Sequence, residues 1–449
     1  MRANAPGRFR HGAHGPSGRT NGHGTWWEPD MFPIYDLLDD PPTLREVRDL
    51  RAKRASLPTN TVDGFKMLAT GGVCTTEKVY KLSLFRHRLE FNGTVYYHAA
   101  VVRGPAYGSV PPASGEYPIL LLLHGNTTDA MRRNKITDWD RLLEANEFYT
   151  DQCVVVFPLY FGYRMELPEA ASYGEACEAA LNQAGYAKFN GQSFETIPVD
   201  DALFKSDYLA DGFTADDVQI MAILQAVTAV RQHSPEFGVN LNGDIGLLGG
   251  SLGASMVYKV APVLHDNGVP ATLKATIALY GGTDQYAKFN VRRAKRWLNS
   301  ALYYRRQDPI YGSVIDRGRS YSDILLNQKR RLESEGVVEY ILGRSDPTHY
   351  VPPDLKQILR RWFLEDSVAW YWRYKSGPYP IQIHHGIFDD TVAVDNSRWW
   401  AKVMRQQEIP FDLDNFTYFE TPTGEHKAGS LSNASRVAMA TVLANRLGY

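Results

Sequence analysis

The sequence predicts an α/β fold with a mostly parallel central sheet and helices on both of its faces. The first observation is a series of short, continuously apolar segments such as residues 119–123 and 153–157, which is typical of strands buried on both faces. The second is that helical patterns alternate with these segments, as they do in βαβ units. The third is the length, because 449 residues allow one large domain with an insertion, or two domains.

The composition and net charge indicate which class of protein the sequence belongs to. The chain is 44% hydrophobic and 22% charged, which is typical of a globular protein, and its formal net charge of -1 does not favour nucleic acid as a partner. The apolar runs have the size of strands, so the sequence predicts no membrane span. Residues 1–30 are predicted to be a disordered basic tail without the apolar run of a signal peptide. We therefore expect a cytoplasmic location.

The three cysteines are Cys74, Cys153 and Cys177. They are too few and too irregularly spaced for a disulfide framework or a structural zinc site, and no pair forms a C-x-x-C motif. We expect them to be reduced and mostly buried. A single disulfide between two of them stays open as an alternative.

The N-terminal part is predicted to contribute a helix and a β-hairpin. Residues 31–68 are expected to form a helical extension, in which Thr43 can cap a helix whose apolar residues recur at three-residue spacing. Two β patterns follow at residues 79–84 and 94–102. Between them lies Asn92-Gly93, a favoured tight turn, so these strands are expected to be antiparallel.

The rest of the chain alternates between predicted strands and helices. The pattern at residues 214–233 predicts a long amphipathic helix with Thr214 as its N-cap. The predicted buried strands lie at residues 119–123, 153–157, 244–248, 276–280, 380–384 and 416–420.

A long insertion separates the fourth and fifth of these strands. Residues 284–377 are rich in aromatic and basic residues and are predicted to form a cap, so the catalytic domain would comprise residues 69–283 and 378–449. Trp370 and Trp372 are candidates for substrate contacts in such a cap. The alternative is a helical subdomain whose aromatic residues form its own core.

The segment Gly249-Gly250-Ser251-Leu252-Gly253 marks Ser251 as a candidate nucleophile. It directly follows a predicted buried strand and directly precedes a predicted helix. A serine in that tight turn needs neighbouring glycines, here Gly249 and Gly253, because a Cβ at those points would collide with the strand and helix. The alternative interpretation is an ordinary glycine-rich turn.

A serine hydroxyl needs a base and an orienting carboxylate to act as a nucleophile at neutral pH. Adjacent carboxylates, Asp389 and Asp390, follow the strand at residues 380–384, and His426 is the only histidine after them. The alternative is that the aspartates belong to a turn or bind a cation. His384 and His385 would point to opposite faces of a strand, which argues against a shared metal ion, and no metal is expected.

These segments, in this order, resemble the α/β-hydrolase superfamily, and in particular the branch of carboxylesterases, dienelactone-hydrolase-like enzymes and prolyl-oligopeptidase-type catalytic domains. The stretch from His385 to Val392 resembles the H-G-x-x-D-x-x-V segment of that superfamily, which favours Asp389 over Asp390 as the acid. Ala393 replaces the proline of many relatives, which weakens only that choice. The resemblance implies an eight-stranded sheet and no cofactor.

The same resemblance implies an oxyanion hole. His124-Gly125 resembles the H-G motif after the first parallel strand, so the expected donors are the backbone N–H groups of Leu252 and Asn126, and the His124 side chain is expected to be structural. Together these features predict a serine hydrolase that uses Ser251, Asp389 and His426.

The predicted substrate is a small-molecule ester or a short peptide. Ester hydrolysis ranks above amide hydrolysis, because the sequence shows no repeats of the propeller that filters substrates in large oligopeptidases. A prolyl-oligopeptidase-like peptidase is the first alternative, and a noncatalytic binding protein with the same fold is the second. The sequence gives no indication of the oligomeric state.

Overall fold

The computed structural model describes residues 44–74, 78–91, 93–109, 112, 114–125, 150–160, 164–166, 174–189, 193–195, 215–266, 272–281, 381–389, 392, 394, 397–398, 401 and 416–448. Several predicted features lie outside the described residues: the basic tail at residues 1–30, the insertion at residues 284–377 with Trp370 and Trp372, and Thr43, Asn126, Thr214, Asp390 and Ala393.

A large mixed β-sheet is the centre of the molecule. The described residues contribute nine strands to it, arranged in the order β1-β2-β3-β5-β4-β8-β9-β10-β11. Two further short strands, β6 (Arg164–Glu166) and β7 (Ser193–Glu195), form a separate antiparallel pair. The strands of the large sheet are β1 (Asp63–Cys74), β2 (Val79–Phe91), β3 (Thr94–Ala106), β4 (Tyr117–Leu123), β5 (Val154–Pro158), β8 (Leu241–Gly250), β9 (Thr272–Leu279), β10 (Ile381–Gly386) and β11 (Phe416–Thr421).

The first three strands are antiparallel and form one side of the sheet. The predicted hairpin is confirmed, because β2 pairs with β3 from Tyr80 opposite Ala106 to Phe91 opposite Thr94. Strand β1 is not predicted from the sequence and begins inside the region expected to be helical. It adds a ninth strand where the resemblance implies eight. Its glycines weaken the strand signal, since Gly71 and Gly72 offer no side chain to the pattern.

The other side of the sheet is parallel, as predicted. Strands β5, β4, β8, β9, β10 and β11 pair in parallel, and β3 joins β5 in an antiparallel pair. Strand β4 shows why these strands are apolar along their whole length: its residues alternate between the two faces of the sheet, and both faces are buried. Leu121 and Leu123 pack into the core on one face, and Leu120 and Leu122 pack into the core on the other.

Helices cover both faces of the sheet. The described helices are α1 (Leu44–Ala55), α2 (Glu175–Ala184), α3 (Ala215–Gln232), α4 (Ser234–Phe237), α5 (Leu252–Asp266) and α6 (Asn433–Leu447). Helices α1, α3 and α5 contribute to the core on one face, and α6 contributes Leu443 and Leu447 to the core on the other. Ser432 caps α6 by accepting a hydrogen bond from the Ser435 N–H at 3.1 Å.

Ion pairs fix α1 to the helices beneath it. Arg54 of α1 and Asp217 of α3 are both fully buried and lie 2.6 Å apart. Arg51 forms hydrogen bonds to both carboxylate oxygens of Asp266 at the end of α5, at 2.8 and 2.6 Å. The predicted α1 is therefore an integral part of the helical layer.

Two of the three cysteines are bonded, so the expectation that all are reduced is wrong. Cys74 at the end of β1 and Cys177 in α2 form a disulfide, with their Cα atoms 5.8 Å apart. They are 103 residues apart in sequence and meet because α2 packs against β1, which sequence spacing does not reveal. Cys153 is free and buried. Disulfides persist mainly in oxidising compartments, and the cytoplasmic location stays a prediction.

None of the described helices combines the length and the apolar character that crossing a bilayer requires.

Candidate active site

Ser251 occupies the sharp turn between β8 and α5. Its φ is +56°, in the left-handed region that a residue with a Cβ adopts at a free-energy cost of about 1–3 kcal/mol. The Ser251 N–H donates a hydrogen bond to the carbonyl of Leu279 at the end of β9, at 2.9 Å. The turn is thus anchored to the neighbouring strand and places Ser251 between the end of β8 and the start of α5.

Two glycines allow the chain to make this turn. A Cβ on Gly253 would overlap the carbonyl of Leu123 at the end of β4, and a Cβ on Gly249 would overlap the backbone of Gly253. Backbone atoms cannot move aside as a flexible side chain can, so any larger residue would displace α5 or β4. These contacts give a steric reason for both glycines named from the sequence.

The end of β4 lies beside the serine. A Cβ on Gly125 would be 3.3 Å from the Cβ of Ser251. The preceding residue, His124, is buried, accepts a hydrogen bond from the Tyr160 N–H at 3.1 Å, and stacks on the Tyr160 ring at 3.8 Å between centroids. Because its other ring nitrogen lies 3.0 Å from the Gly125 carbonyl, His124 holds the shape of this loop.

Of the two backbone groups expected to bind an oxyanion, one is described. Leu252 is the first residue of α5, directly after Ser251. The N–H groups in the first turn of a helix have no partner within that helix, and the helix dipole places partial positive charge there. Asn126, the residue of the other expected donor, lies outside the described residues.

His426 joins the serine to an aspartate. Its Nε2 lies 2.8 Å from the Ser251 Oγ, and its Nδ1 lies 2.7 Å from the Asp389 Oδ2. A carboxylate only accepts hydrogen bonds, so Nδ1 carries the proton and Nε2 accepts from the serine hydroxyl. The structure therefore brings together the side chains of the three residues singled out from the sequence.

Asp389 is the aspartate in this contact and is nearly inaccessible to solvent, at 2% exposure. Its Oδ1 accepts a hydrogen bond from the Val392 N–H at 2.7 Å. Burial by itself would raise the pKa of Asp389, but the hydrogen bonds from His385 and His426 outweigh it and lower the pKa to about 2. Asp389 is therefore an anion at neutral pH.

A second histidine contacts the same carboxylate and was not selected from the sequence. His385, at the end of β10, is fully buried, and its Nε2 lies 3.1 Å from the Asp389 Oδ2. Its Nδ1 lies 2.7 Å from the hydroxyl of Ser397. The preceding His384 points elsewhere, since its ring stacks on Phe419 with the centroids 4.7 Å apart. The H-G-x-x-D motif contained His385, but nothing in the sequence indicated its contact with the acid.

Backbone contacts hold together the loops that carry Asp389 and His426. The Phe388 N–H donates to the Gly424 carbonyl at 2.8 Å, and the Ile387 N–H donates to the Thr421 carbonyl at 2.9 Å. A Cβ on Gly386 would overlap the Gly424 backbone, so only glycine permits this approach. The loop after β10 and the loop after β11 are thereby fixed to each other, which sets the distance between Asp389 and His426.

Tyr280 is another residue at the site that sequence reasoning missed. It follows β9 and has a φ of +41°, one of two positive φ values among the described non-glycine residues, the other being that of Ser251. Its ring packs edge-on against His426, with the centroids 4.7 Å apart. A strained backbone at an aromatic residue persists only where surrounding contacts enforce it. The sequence pattern indicated only the end of a strand here.

The chemistry available to this arrangement is proton transfer coupled to nucleophilic attack. A neutral imidazole that accepts from a serine hydroxyl can remove its proton as the oxygen attacks an electrophile. The carboxylate behind the ring stabilises the imidazolium that forms. Ser251 and His426 are both partly exposed, whereas Asp389 is buried, so a small molecule can approach Ser251 but not Asp389.

No family model and no curated protein sequence matches the chain. Among solved structures, the rice cell wall degrading esterase LipA from Xanthomonas oryzae is similar, with 14% identity and a TM-score of 0.46 over 87% of this chain and 98% of LipA. Acetyl xylan esterase 1 from a Thermoanaerobacterium species has 11% identity and a TM-score of 0.45 over 92% of this chain and 98% of its own.

A puromycin-hydrolyzing peptidase from Mycobacterium tuberculosis is also similar, with 14% identity and a TM-score of 0.41 over 83% of this chain and 46% of the peptidase. All three TM-scores are below 0.5. The function proposed below therefore depends on the geometry of this chain.

Proposed function

We propose that the chain is a serine hydrolase of the α/β-hydrolase superfamily that cleaves a carboxylic ester through an acyl-enzyme. The observation that carries the proposal is the pair of hydrogen bonds made by His426, at 2.8 Å to Ser251 and at 2.7 Å to Asp389. The positive φ of Ser251 supports it, because a strained serine between a strand and a helix is the geometry of a nucleophile elbow.

The first half of the proposed reaction acylates the serine. The Ser251 Oγ attacks the ester carbonyl carbon as its proton moves to the His426 Nε2, and the carbonyl oxygen becomes an oxyanion. The backbone N–H groups of Leu252 and Asn126 stabilise that negative charge. The C–O bond to the alcohol then breaks, His426 returns the proton to the departing oxygen, and the acyl group stays on Ser251.

The second half releases the acid. Water attacks the acyl carbon while His426 Nε2 accepts its proton, and the bond to Ser251 Oγ breaks as that oxygen is reprotonated. Asp389, whose pKa of about 2 keeps it ionised at neutral pH, stabilises the imidazolium in both halves. The products are a carboxylic acid and an alcohol, and no cofactor is needed.

Steady-state hydrolysis of p-nitrophenyl acetate tests the proposal. The wild-type chain is expected to release nitrophenol with saturation kinetics, and Ser251→Ala is expected to lower kcat/KM by about 10⁴-fold or more. Ser255→Ala is the matched control, since it removes a buried hydroxyl from the same helix four residues further on. Equal activity of the Ser251→Ala and Ser255→Ala variants would contradict the assignment of the nucleophile.

A substrate panel then separates the alternatives. We expect esters to be cleaved faster than acylated amino acid amides; the reverse order would favour the peptidase alternative. Absence of any turnover and of any reaction with a fluorophosphonate would favour a noncatalytic binding protein. Trp370 and Trp372 remain candidates for the substrate pocket: an unchanged chain-length preference on nitrophenyl esters after their replacement would contradict that role.

A further inference from the structure

The carboxylate of Asp389 is held by more hydrogen bonds than its contact with His426 requires. Its Oδ2 lies 2.7 Å from the His426 Nδ1 and 3.1 Å from the His385 Nε2, and its Oδ1 accepts from the Val392 N–H at 2.7 Å. Donors at both oxygens restrict rotation of the carboxylate about its Cβ–Cγ bond. The contact with His385 lies on the oxygen that also faces the base.

The partners of His385 determine which of its nitrogens carries a proton. Its Nε2 lies 2.8 Å from the Val392 carbonyl and 3.1 Å from the Asp389 carboxylate. Both groups only accept hydrogen bonds, so Nε2 must bear a hydrogen. The hydroxyl of Ser397 lies 2.7 Å from the Nδ1 and can donate to it, which fixes this tautomer in the neutral ring.

The surroundings keep this arrangement rigid. His385 and Ser397 are both fully buried, so water does not compete for their hydrogen bonds. Glu420 of β11 lies opposite His385 in the register between β10 and β11. The Arg398 Nε and Nη2 donate to the two carboxylate oxygens of Glu420 at 2.6 and 2.7 Å. The Tyr418 hydroxyl also donates to Glu420 at 2.7 Å. Glu420 thus accepts from Arg398 and Tyr418, whereas the His385 Nε2 contacts Asp389.

We infer that His385, held in one tautomer by Ser397, is a positioning residue that aims the Asp389 carboxylate at His426. The hydrogen-bonded series then runs from Ser397 through His385, Asp389 and His426 to Ser251. This inference rests on the proposed function, because the orientation of the acid matters only if His426 acts as the base. A purely structural role would instead consist of tying the loop after β10 through the Val392 carbonyl.

Variants that keep or remove the Nε2 donor distinguish these roles. His385→Gln keeps an amide N–H at the same distance from the backbone, and His385→Leu removes it. The kcat values are counted per active site titrated with a fluorophosphonate. We expect His385→Leu to lower kcat by about 10- to 100-fold with little change in KM, because a catalytic group in the wrong orientation slows the chemical step more than it weakens substrate binding. We expect His385→Gln to recover most of that loss.

Three controls make the result decisive. Counting kcat per titrated site removes the contribution of unfolded protein. His384→Phe replaces the adjacent buried histidine, which contacts Phe419 and the Gln382 side chain, and is expected to keep the wild-type kcat. If His385→Leu does not fold, Ser397→Ala is the test of the inference. Its kcat is expected to be severalfold lower than that of the wild type, because the tautomer of His385 is no longer fixed.

A wild-type kcat in His385→Leu would overturn the inference, and so would equal losses in His385→Leu and His385→Gln. When His385→Leu cannot be measured, a wild-type kcat in Ser397→Ala overturns it. These failures differ from failure of the proposed function. In that case the wild-type chain itself would show no hydrolysis, or Ser251→Ala would retain it.

Discussion

Buried histidines occur in both halves of the sheet, and what they contact differs. In the antiparallel half, His87 of β2 lies opposite His98 of β3, with their rings 5.1 Å apart. Burial lowers the pKa of His87 to about 3 and that of His98 well below its usual value. At the carboxyl end of the parallel half, His385 and His426 both contact the Asp389 carboxylate. The histidines of the antiparallel half are thus neutral core residues, whereas His385 and His426 of the parallel half are part of the candidate site.

The direction of the strands explains the difference. Strands β8, β9, β10 and β11 run in parallel, so their carboxyl ends and the loops that follow lie along one edge of the sheet. That edge carries Ser251 after β8, Asp389 after β10 and His426 after β11. Strands β2 and β3 are joined by a hairpin instead, and their histidines lie within the strands.

The largest expected effect separates the two kinds of histidine by activity. His426→Leu is expected to lower kcat/KM on p-nitrophenyl acetate by about 10⁴-fold or more, because the serine loses its base. The same substitution at His87, also to leucine, is expected to leave kcat per titrated site unchanged. Similar losses of activity in His426→Leu and His87→Leu would contradict this distinction between the two halves of the sheet.

The next effect concerns stability rather than activity. Replacing Arg54 by methionine removes the partner at 2.6 Å from the fully buried Asp217 and leaves the longer contact with the Lys53 Nζ at 3.9 Å, so the free energy of unfolding is expected to fall by about 3 kcal/mol. Urea denaturation measures this loss, and kcat per titrated site should not change. Arg45→Met is the matched control in the same helix, since Arg45 and Asp49 are 90% and 70% exposed and their pair is expected to contribute nothing measurable. A loss of activity in folded Arg54→Met would mean that α1 influences the site.

The smallest effect is the acid sensitivity of the buried sheet histidines. Above the usual pKa of 6.5, His87 is neutral in both the folded and the unfolded chain and contributes no pH dependence. Below pH 6.5 the unfolded chain takes up the proton first, because the folded pKa is about 3. Stability is therefore expected to fall with pH by up to about 1.4 kcal/mol per pH unit for each such histidine.

His384, whose pKa burial also lowers to about 3, adds to the same slope. His87→Leu is expected to reduce the pH dependence of the free energy of unfolding between pH 6 and pH 4 by the contribution of one histidine. Denaturation series at several pH values, with wild type and variant side by side, measure it. An identical slope in the two proteins would show that His87 accepts a proton in the folded state.

Elements with strong local patterns could be predicted from the sequence. The apolar strands β4 and β5, the hairpin of β2 and β3, and the helices α1 and α3 all follow from periodicity and turn residues. Strand β1 was missed because its glycines interrupt the pattern. The Cys74–Cys177 bond and the pairing of Arg54 with Asp217 join distant segments and depend on tertiary packing, which local patterns do not encode.

The candidate site divides in the same way. Ser251, Asp389 and His426 could be selected because a short motif and the order of the segments singled them out, and their side chains meet in the structure. Their catalytic roles remain predictions. The contacts of His385 and Tyr280 could not be selected, because they depend on how the loops after β9, β10 and β11 fold against one another.

Mapping the site of fluorophosphonate attachment tests the central claim most directly. The wild-type chain is treated with the probe, digested, and its peptides are analysed by mass spectrometry. We expect a single phosphonyl group on Ser251, no attachment in Ser251→Ala, and a much slower reaction in His426→Leu. Attachment at another residue, or undiminished labelling of Ser251→Ala, would contradict it.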